Sequence, residues 1–354
     1  MQQEKTKEDH SRLINVLAKD LTAQNRRLVE VPYTATLAHA MNTLVANSIS
    51  ALPVAAPPGH WIGAGGSMIM ESDKQTGTVR KHYIGILTML DVLAHIAGGG
   101  NLSDLSDLDR KMGSQVSSII GHCLEGLSLW TLNPNTSFVE CMEVFSKGIH
   151  RALVPVESSV ESSNTISGVE LVESASSYKM LTQMDLLRFL RDHHFDDLST
   201  ILSRSISKLR AVNDSVYAIS ERTTVSNAIN SMKSALLNAV PIVQAPDVTQ
   251  EDHLQLINGR HRKVIGTFSA TDLKGCRLSE LQTCLPLTAL EFTEKASGKE
   301  REMVSCTVDT TMEEAIEKVA TRGVHRVWVV DQQGLLQGVV SLTDIIRSIR
   351  AALL

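Results

Sequence analysis

The sequence predicts a mixed α/β protein made of four tandem copies of one helix–strand–strand–helix unit. Three recurrent features carry that prediction. A hydroxyl residue followed four positions later by a small one opens a helix four times, at Thr36 and Ala40, Ser137 and Cys141, Thr224 and Ala228, Thr311 and Ala315. A short apolar run follows each: Ala51–Val54, Ala152–Val156, Ala239–Val243 and Val327–Val330. Each copy then closes on hydroxyl-x-x-Asp at the head of another helix: Thr88 to Asp91, Thr182 to Asp185, Ser269 to Asp272 and Ser341 to Asp344.

Each feature has a physical reason. A Ser or Thr hydroxyl accepts from the exposed N–H groups of a first helical turn, and the small residue one turn on lets the helix approach a neighbour. Runs of apolar and β-branched residues, three of them containing proline, read as buried strands. A glycine stands three positions before the closing hydroxyl in three copies (Gly85, Gly266 and Gly338), and the second copy has Lys179 there. The spacing between closing aspartates shrinks along the chain because the copies carry different inserts between their strands. These are Pro57 to Gly77, Glu157 to Ser177 and Pro246 to Arg262, with only a tight turn, Asp331 to Gly334, in the fourth. Surface connections tolerate such inserts.

The pattern divides the chain into an N-terminal amphipathic helix (1–25), first and second repeats (26–98 and 122–197) joined by a linker (99–121), and third and fourth repeats (198–280 and 281–354). A half boundary is expected near Asp196 to Ser199.

Composition removes several function classes. With 43% hydrophobic residues the chain can build a core, and with a net charge of −5 and 4% aromatics it lacks the basic stripe and stacking surface of a nucleic-acid binder. Five scattered cysteines without a C-x-x-C pair argue against disulfides or zinc and fit a reducing compartment. The polar stretch Met1 to Asp9 contains no secretory apolar core, and no run is long enough to span a membrane. The expectation is a cytoplasmic or nuclear protein that binds neither nucleic acid nor membrane. There is no G-x-x-x-x-G-K-[ST] loop, kinase catalytic loop or G-x-S-x-G elbow, so no enzymatic activity, catalytic residue, cofactor or metal is expected. His193-His194 with Asp196-Asp197, and the basic run Gly259 to Lys263, read as solvated surface.

The strand and helix order with a G-h-h-[ST]-x-x-D close resembles the CBS (cystathionine β-synthase) domain over roughly residues 26–354. That resemblance implies four β-α-β-β-α repeats whose sheets pair into two modules, which together form a disc. Gly148-Ile149-His150-Arg151 and Gly323-Val324-His325-Arg326 sharpen it. Four repeats with these dipeptides resemble the gamma subunits of AMP-activated and plant sucrose-nonfermenting-related protein kinases, and the long inserts suggest a plant gamma-like type. The implied role is a regulatory subunit that contacts a catalytic alpha subunit and a beta subunit and senses AMP, ADP or ATP. Animal-type gamma subunits carry a basic residue just before the acid of the second closing motif; here it is Met184. They often lack that acid, whereas this chain keeps Asp185.

Chemistry suits that role. A carboxylate accepts both hydroxyls of a ribose diol, the part implied for Asp91, Asp185, Asp272 and Asp344. Arg presents a planar fork to phosphate, the part implied for Arg151 and Arg326 beside His150 and His325. Thr88, Thr136, Thr224, Ser269, Thr311 and Ser341 would add hydroxyls. Ser/Thr-x-x-Asp is equally a capping box that binds nothing. Two alternatives therefore stand: a scaffold with empty clefts, and a sensor of another adenosyl ligand such as an S-adenosyl compound.

Overall fold

The computed structural model describes residues 15–56, 82–98, 105–121, 130–156, 178–193, 196–245, 253–297 and 303–353. The inserts expected at 57–77 and 157–177 lie outside them. The first quarter comprises α1 (Ala18–Leu21), β1 (Val31–Pro32), α2 (Leu37–Ala46), β2 (Ala51–Ala56), β3 (His82–Thr88), α3 (Met89–Ala97) and α4 (Leu105–Met112). The second has β4 (Trp130–Thr131), α5 (Phe138–Ser146), β5 (Arg151–Pro155), β6 (Tyr178–Thr182), α6 (Gln183–Asp192) and α7 (Asp196–Leu202). The third has β7 (Tyr217–Ser220), α8 (Val225–Ser234), β8 (Ala239–Val243), β9 (Ile257–Asn258), β10 (Val264–Ser269), α9 (Leu281–Cys284) and α10 (Ala289–Ser297). The fourth has β11 (Ser305–Cys306), α11 (Met312–Arg322), β12 (Arg326–Val330), β13 (Leu336–Ser341) and α12 (Leu342–Leu353).

Each quarter builds one small sheet on the same plan. A short first strand runs parallel to the middle strand, which pairs antiparallel with the third; the orders are β1-β2-β3, β4-β5-β6, β10-β8-β7-β9 and β11-β12-β13. The middle strands are apolar because both faces are covered, and every residue of β5 and β8 is buried. Thr36, Ser137, Thr224 and Thr311 cap their helices by accepting from the N–H three residues on, at 3.2–3.4 Å. The paired small residues Ala40, Cys141, Ala228 and Ala315 are fully buried, as their size requires.

Helices and sheets pair the quarters differently. Helix α5 packs on α12 and α6 on α11, so the second and fourth quarters share one apolar core; α3 packs on α8, joining the first and third. The sheets instead join neighbours. Tyr83 donates to Glu30 and meets Tyr178 edge-on with centroids 5.4 Å apart, linking the first and second quarters. A third core, with Ala218, Val264, Trp328 and Leu336, links the third and fourth, where Asn213 and Val339 exchange backbone bonds of 2.9 and 2.8 Å. Two sheet pairs crossed by two helix pairs join each quarter to two others.

That closeness explains one glycine of the closing motif. A Cβ at Gly338 would stand 2.7 Å from both the Asn213 carbonyl oxygen and Val212 Cγ1. Gly338→Ala is expected to lower unfolding free energy by about 1–3 kcal/mol through overpacking, read as the shift in urea midpoint.

The N-terminal helix expected within 1–25 falls mostly outside the described residues; in the described part residue 15 is helical, α1 adds one turn, and residues 25–30 run without helix. Ala18 and Lys19 donate to the carbonyls of Thr136 and Pro134, which fastens this segment to the second quarter. Other expectations are corrected. The stretch 99–121 contains α4, and the half boundary near 196–199 falls inside α7. In the third quarter the helix expected after Asp272 is a 3₁₀ turn, Asp272–Gly275, and Cys276 follows it in extended conformation. Gly275 closes the turn, and helix resumes at α9. The thiols of Cys141 and Cys276 are both pushed up to about 12, chiefly by burial, which leaves them packing groups. Among the described residues, no helix is long and apolar enough to cross a membrane.

Candidate functional site

The site begins with a four-residue segment that each quarter places between its first helix and middle strand. It reads Ser48-Ile49-Ser50-Ala51, Gly148-Ile149-His150-Arg151, Leu236-Leu237-Asn238-Ala239 and Gly323-Val324-His325-Arg326. The first residue of each has positive φ: 52°, 90°, 54° and 63°. Glycine adopts this at Gly148 and Gly323 without the Cβ penalty carried by Ser48 and Leu236. The fourth residue pairs with the hydroxyl of the closing motif in every sheet: Ala51 with Thr88, Arg151 with Thr182, Ala239 with Ser269, Arg326 with Ser341.

Large and small alternate at that fourth position for a reason. Arg151 Nη2 donates to Ser50 Oγ at 3.0 Å, and Arg326 Nη1 donates to the Ala239 carbonyl at 3.2 Å. Each arginine thus reaches across its module to the quarter that carries alanine. His150 and His325 are fixed in parallel fashion, their carbonyls accepting from Gln183 N and Leu342 N at 3.2 and 3.1 Å. All four side chains, His150, Arg151, His325 and Arg326, line one central cavity of about 730 Å³. Ser50 and Asn238, the third residues of the odd quarters, line it as well.

The cavity is strongly cationic. Among the described residues, Arg26, Arg27, Arg151, Arg188, Lys274 and Arg326 line it against one carboxylate, Asp185. Burial holds both Arg151 and Arg326 down to about 10. His150 is pushed down to about 4 by burial and then by Arg326. His325 faces the open cavity, and desolvation, followed by the charges of Arg151, Arg326, His150 and Lys274, pushes it down to about 3. Both rings are therefore neutral at pH 7. Unfolded imidazoles titrate near ~6.5, so the unfolded chain binds the extra protons. The stability that depends on neutral rings is complete above that pH and drains as pH falls toward 4. Urea midpoints measured across this range should fall with acid, and a His150→Gln/His325→Gln variant should flatten the dependence.

A second, smaller cavity of about 150 Å³ lies between the third and fourth quarters. Ile265, Met303, Val324 and Trp328 give it apolar walls, and Trp328 Nε1 donates to Thr267 Oγ1 at 2.7 Å. Arg151, His325 and Arg326 line both cavities, so the apolar slot borders directly on the cation cluster.

The closing aspartates divide. In every quarter Oδ2 accepts from the backbone N–H and hydroxyl three residues earlier, at 2.5–3.0 Å. The reciprocal capping box is built in the first, second and fourth quarters, where Asp91, Asp185 and Asp344 N–H donate back to the hydroxyl, while the third motif leads into a 3₁₀ turn. Asp185 lines the central cavity, and burial raises its pKa above the usual carboxylate range. Asp91 is 1% exposed, and Asp91, Asp272 and Asp344 line neither cavity. Asp344 Oδ1 accepts from Arg347 at 3.1 Å. Of the hydroxyls, Thr88 and Ser269 line the small cavity and Ser341 the central one. Thr224 and Thr311 cap helices, and Thr136 contributes its carbonyl to α1; none of these three lines either cavity.

Lys274 and Arg26 were not anticipated as site residues. Lys274 lies two positions after the third closing aspartate, and Arg26 begins a basic pair just before β1. The other motifs fall elsewhere: His193 stacks on Phe189 with centroids 4.2 Å apart, and Arg260 pairs with Asp214 at 3.0 Å.

Repeated three-stranded sheets with capped helices, paired around a central cleft, define a CBS-domain fold. Residues 300–351 match the CBS domain family. A solved Methanocaldococcus jannaschii protein, described as an archaeal homolog of g-AMPK, superposes with a TM-score of 0.61 at 18% identity, covering 94% of this chain and 99% of its own. In sequence, this chain is 87% identical to the SNF1-related protein kinase regulatory subunit gamma-like PV42a of Arabidopsis thaliana, over 100% of both chains. It is 56% identical to PV42b of the same plant, over 98% of both. The chain belongs to the gamma-like regulatory subunits of SNF1-related protein kinases.

Proposed function

We propose that this protein is a non-catalytic regulatory subunit of a sucrose-nonfermenting-related protein kinase complex and that it binds adenine nucleotide at its centre. One observation carries the ligand: two histidines and two arginines from different modules converge on a cavity that, among the described residues, a single carboxylate lines. Such an excess of positive charge suits phosphate, and arginine forks suit its geometry. The adjoining apolar slot beside Trp328 suits a purine ring. A nonphosphorylated adenosyl ligand would leave the cations uncompensated, so AMP, ADP or ATP is the better fit.

The regulatory consequence follows from the site's composition. Because each module supplies one His-Arg pair, a phosphate between them favours the arrangement in which the modules are closest. Contacts with the catalytic alpha subunit and the beta subunit respond only to the extent that they differ between the two arrangements. This reading implies a cytoplasmic or nuclear protein.

The scaffold reading draws on the aspartate caps, which stabilise the fold without ligand. Calorimetric titration of AMP and ATP into the purified protein separates the two. Saturable heat, with a thermal shift equivalent to ~2.7 kcal/mol at ligand near 100 times Kd, is the expected result. Absence of both at millimolar nucleotide would leave the scaffold.

A further inference from the structure

We propose that Lys274 and Arg26 extend the central cation cluster into a second phosphate subsite, so that the cavity selects ligands with two or three phosphates over monophosphates. The proposal rests on the anion-binding reading above and adds to it a ligand class and two residues.

The third quarter is the one whose closing motif leads into a 3₁₀ turn instead of a helix, and that turn carries Lys274 on the cavity wall. Arg26 reaches the same cavity from the segment that precedes β1. That segment is held in place: Asn25 Nδ2 donates to the Met180 carbonyl at 2.8 Å, and Lys179 Nζ donates to the Thr22 and Ala23 carbonyls at 2.9 and 2.7 Å. Arg26 Nη1 itself donates to the Asn47 carbonyl at 3.4 Å. Burial lowers the Lys274 pKa, and the charges of Arg151 and Arg26 lower it further, which places three cations in mutual repulsion.

Among the described residues one acid lines the cavity, and a single carboxylate offsets only one of its six cations. Asp185 Oδ2 already accepts from Thr182 N, Thr182 Oγ1 and Asn25 Nδ2. A single phosphate held by Arg151 and Arg326 is a dianion and leaves Lys274 and Arg26 uncompensated. A second and third phosphoryl group supply their counter-charges. Charge number, more than the nucleoside, therefore sets affinity.

The test titrates AMP, ATP and inorganic tripolyphosphate into the full chain in magnesium-free buffer, for the natural protein, Lys274→Met and Arg26→Ala. ATP is expected to bind about tenfold more tightly than AMP at low salt, with the ratio shrinking as salt screens the outer charges. Lys274→Met should cost ATP and tripolyphosphate about tenfold while changing AMP less than about twofold. The same substitution should raise the melting temperature of the ligand-free protein, because it relieves repulsion; a merely structural lysine would lower it when removed. Arg26 is exposed, so Arg26→Ala tests the subsite without touching the core. Equal affinity for AMP and ATP in the natural protein, or equal losses for both in the variants, would overturn the subsite and leave nucleotide binding standing. No binding of any of the three would overturn both.

Discussion

The Arg151→Ala/Arg326→Ala protein is expected to bind AMP and ATP at least about a hundredfold more weakly than the natural protein, because each arginine offers charge-assisted hydrogen bonds of about 1.5–3 kcal/mol. Each single variant should lose about tenfold, since the partner guanidinium remains on the opposite wall. Folding should be little affected. Among the bonds the substitutions remove are those to Ser50 Oγ and to the Ala239 carbonyl, and they also remove two desolvated cations. Calorimetry gives the affinities, and far-ultraviolet circular dichroism checks the fold. Unchanged affinity in a folded double variant would place any nucleotide outside the central cavity.

Phe138→Ala should give the largest loss of stability, about 3–5 kcal/mol, from lost transfer energy and the cavity left behind. Phe138 opens α5, is fully buried, and its ring lies 5.2 Å from that of Phe189 on α6. The core it occupies also contains Ile345, Ile346 and Ile349 of α12 and Ile316 and Val319 of α11. The damage should therefore reach the fourth quarter, and hydrogen exchange should report loss of protection in α12 as well as α5. Val308, 42% exposed, offers the control, with a change within about 0.5 kcal/mol for Val308→Ala.

What was legible in the sequence was whatever a local pattern encodes. The four caps at Thr36, Ser137, Thr224 and Thr311 and the four closing motifs rest on residues three or four apart, so their spacing announces them. The recurrence of His-Arg in alternate copies pointed to a shared site because it broke an otherwise fourfold pattern. Lys274 and Arg26 stayed hidden since they reach the cavity from different quarters, and no short-range rule reports which loops a distant pairing brings together. The aspartates posed a different problem. A capping carboxylate and a ribose-binding carboxylate obey the same spacing, and only the exposure of each side chain separates Asp185 from Asp91. The 3₁₀ turn after Asp272 was foreshadowed by Gly275, but the regularity of the other three copies argued for a helix.

The crossing of helix pairs over sheet pairs has a consequence for how the protein is made. Arg347 Nε on α12 donates to the Ser146 carbonyl at the end of α5, across 201 positions of chain. At cellular elongation rates of ~5–20 residues per second, α5 waits about ten to forty seconds on the ribosome before its partner helix exists. During that interval Phe138, Met142 and Phe145 can be sheltered only by provisional contacts within the second quarter or by a chaperone. A stalled or slowed ribosome between α6 and α11 would prolong that exposure, which makes the second half of the message a place where codon speed can govern the yield of folded protein.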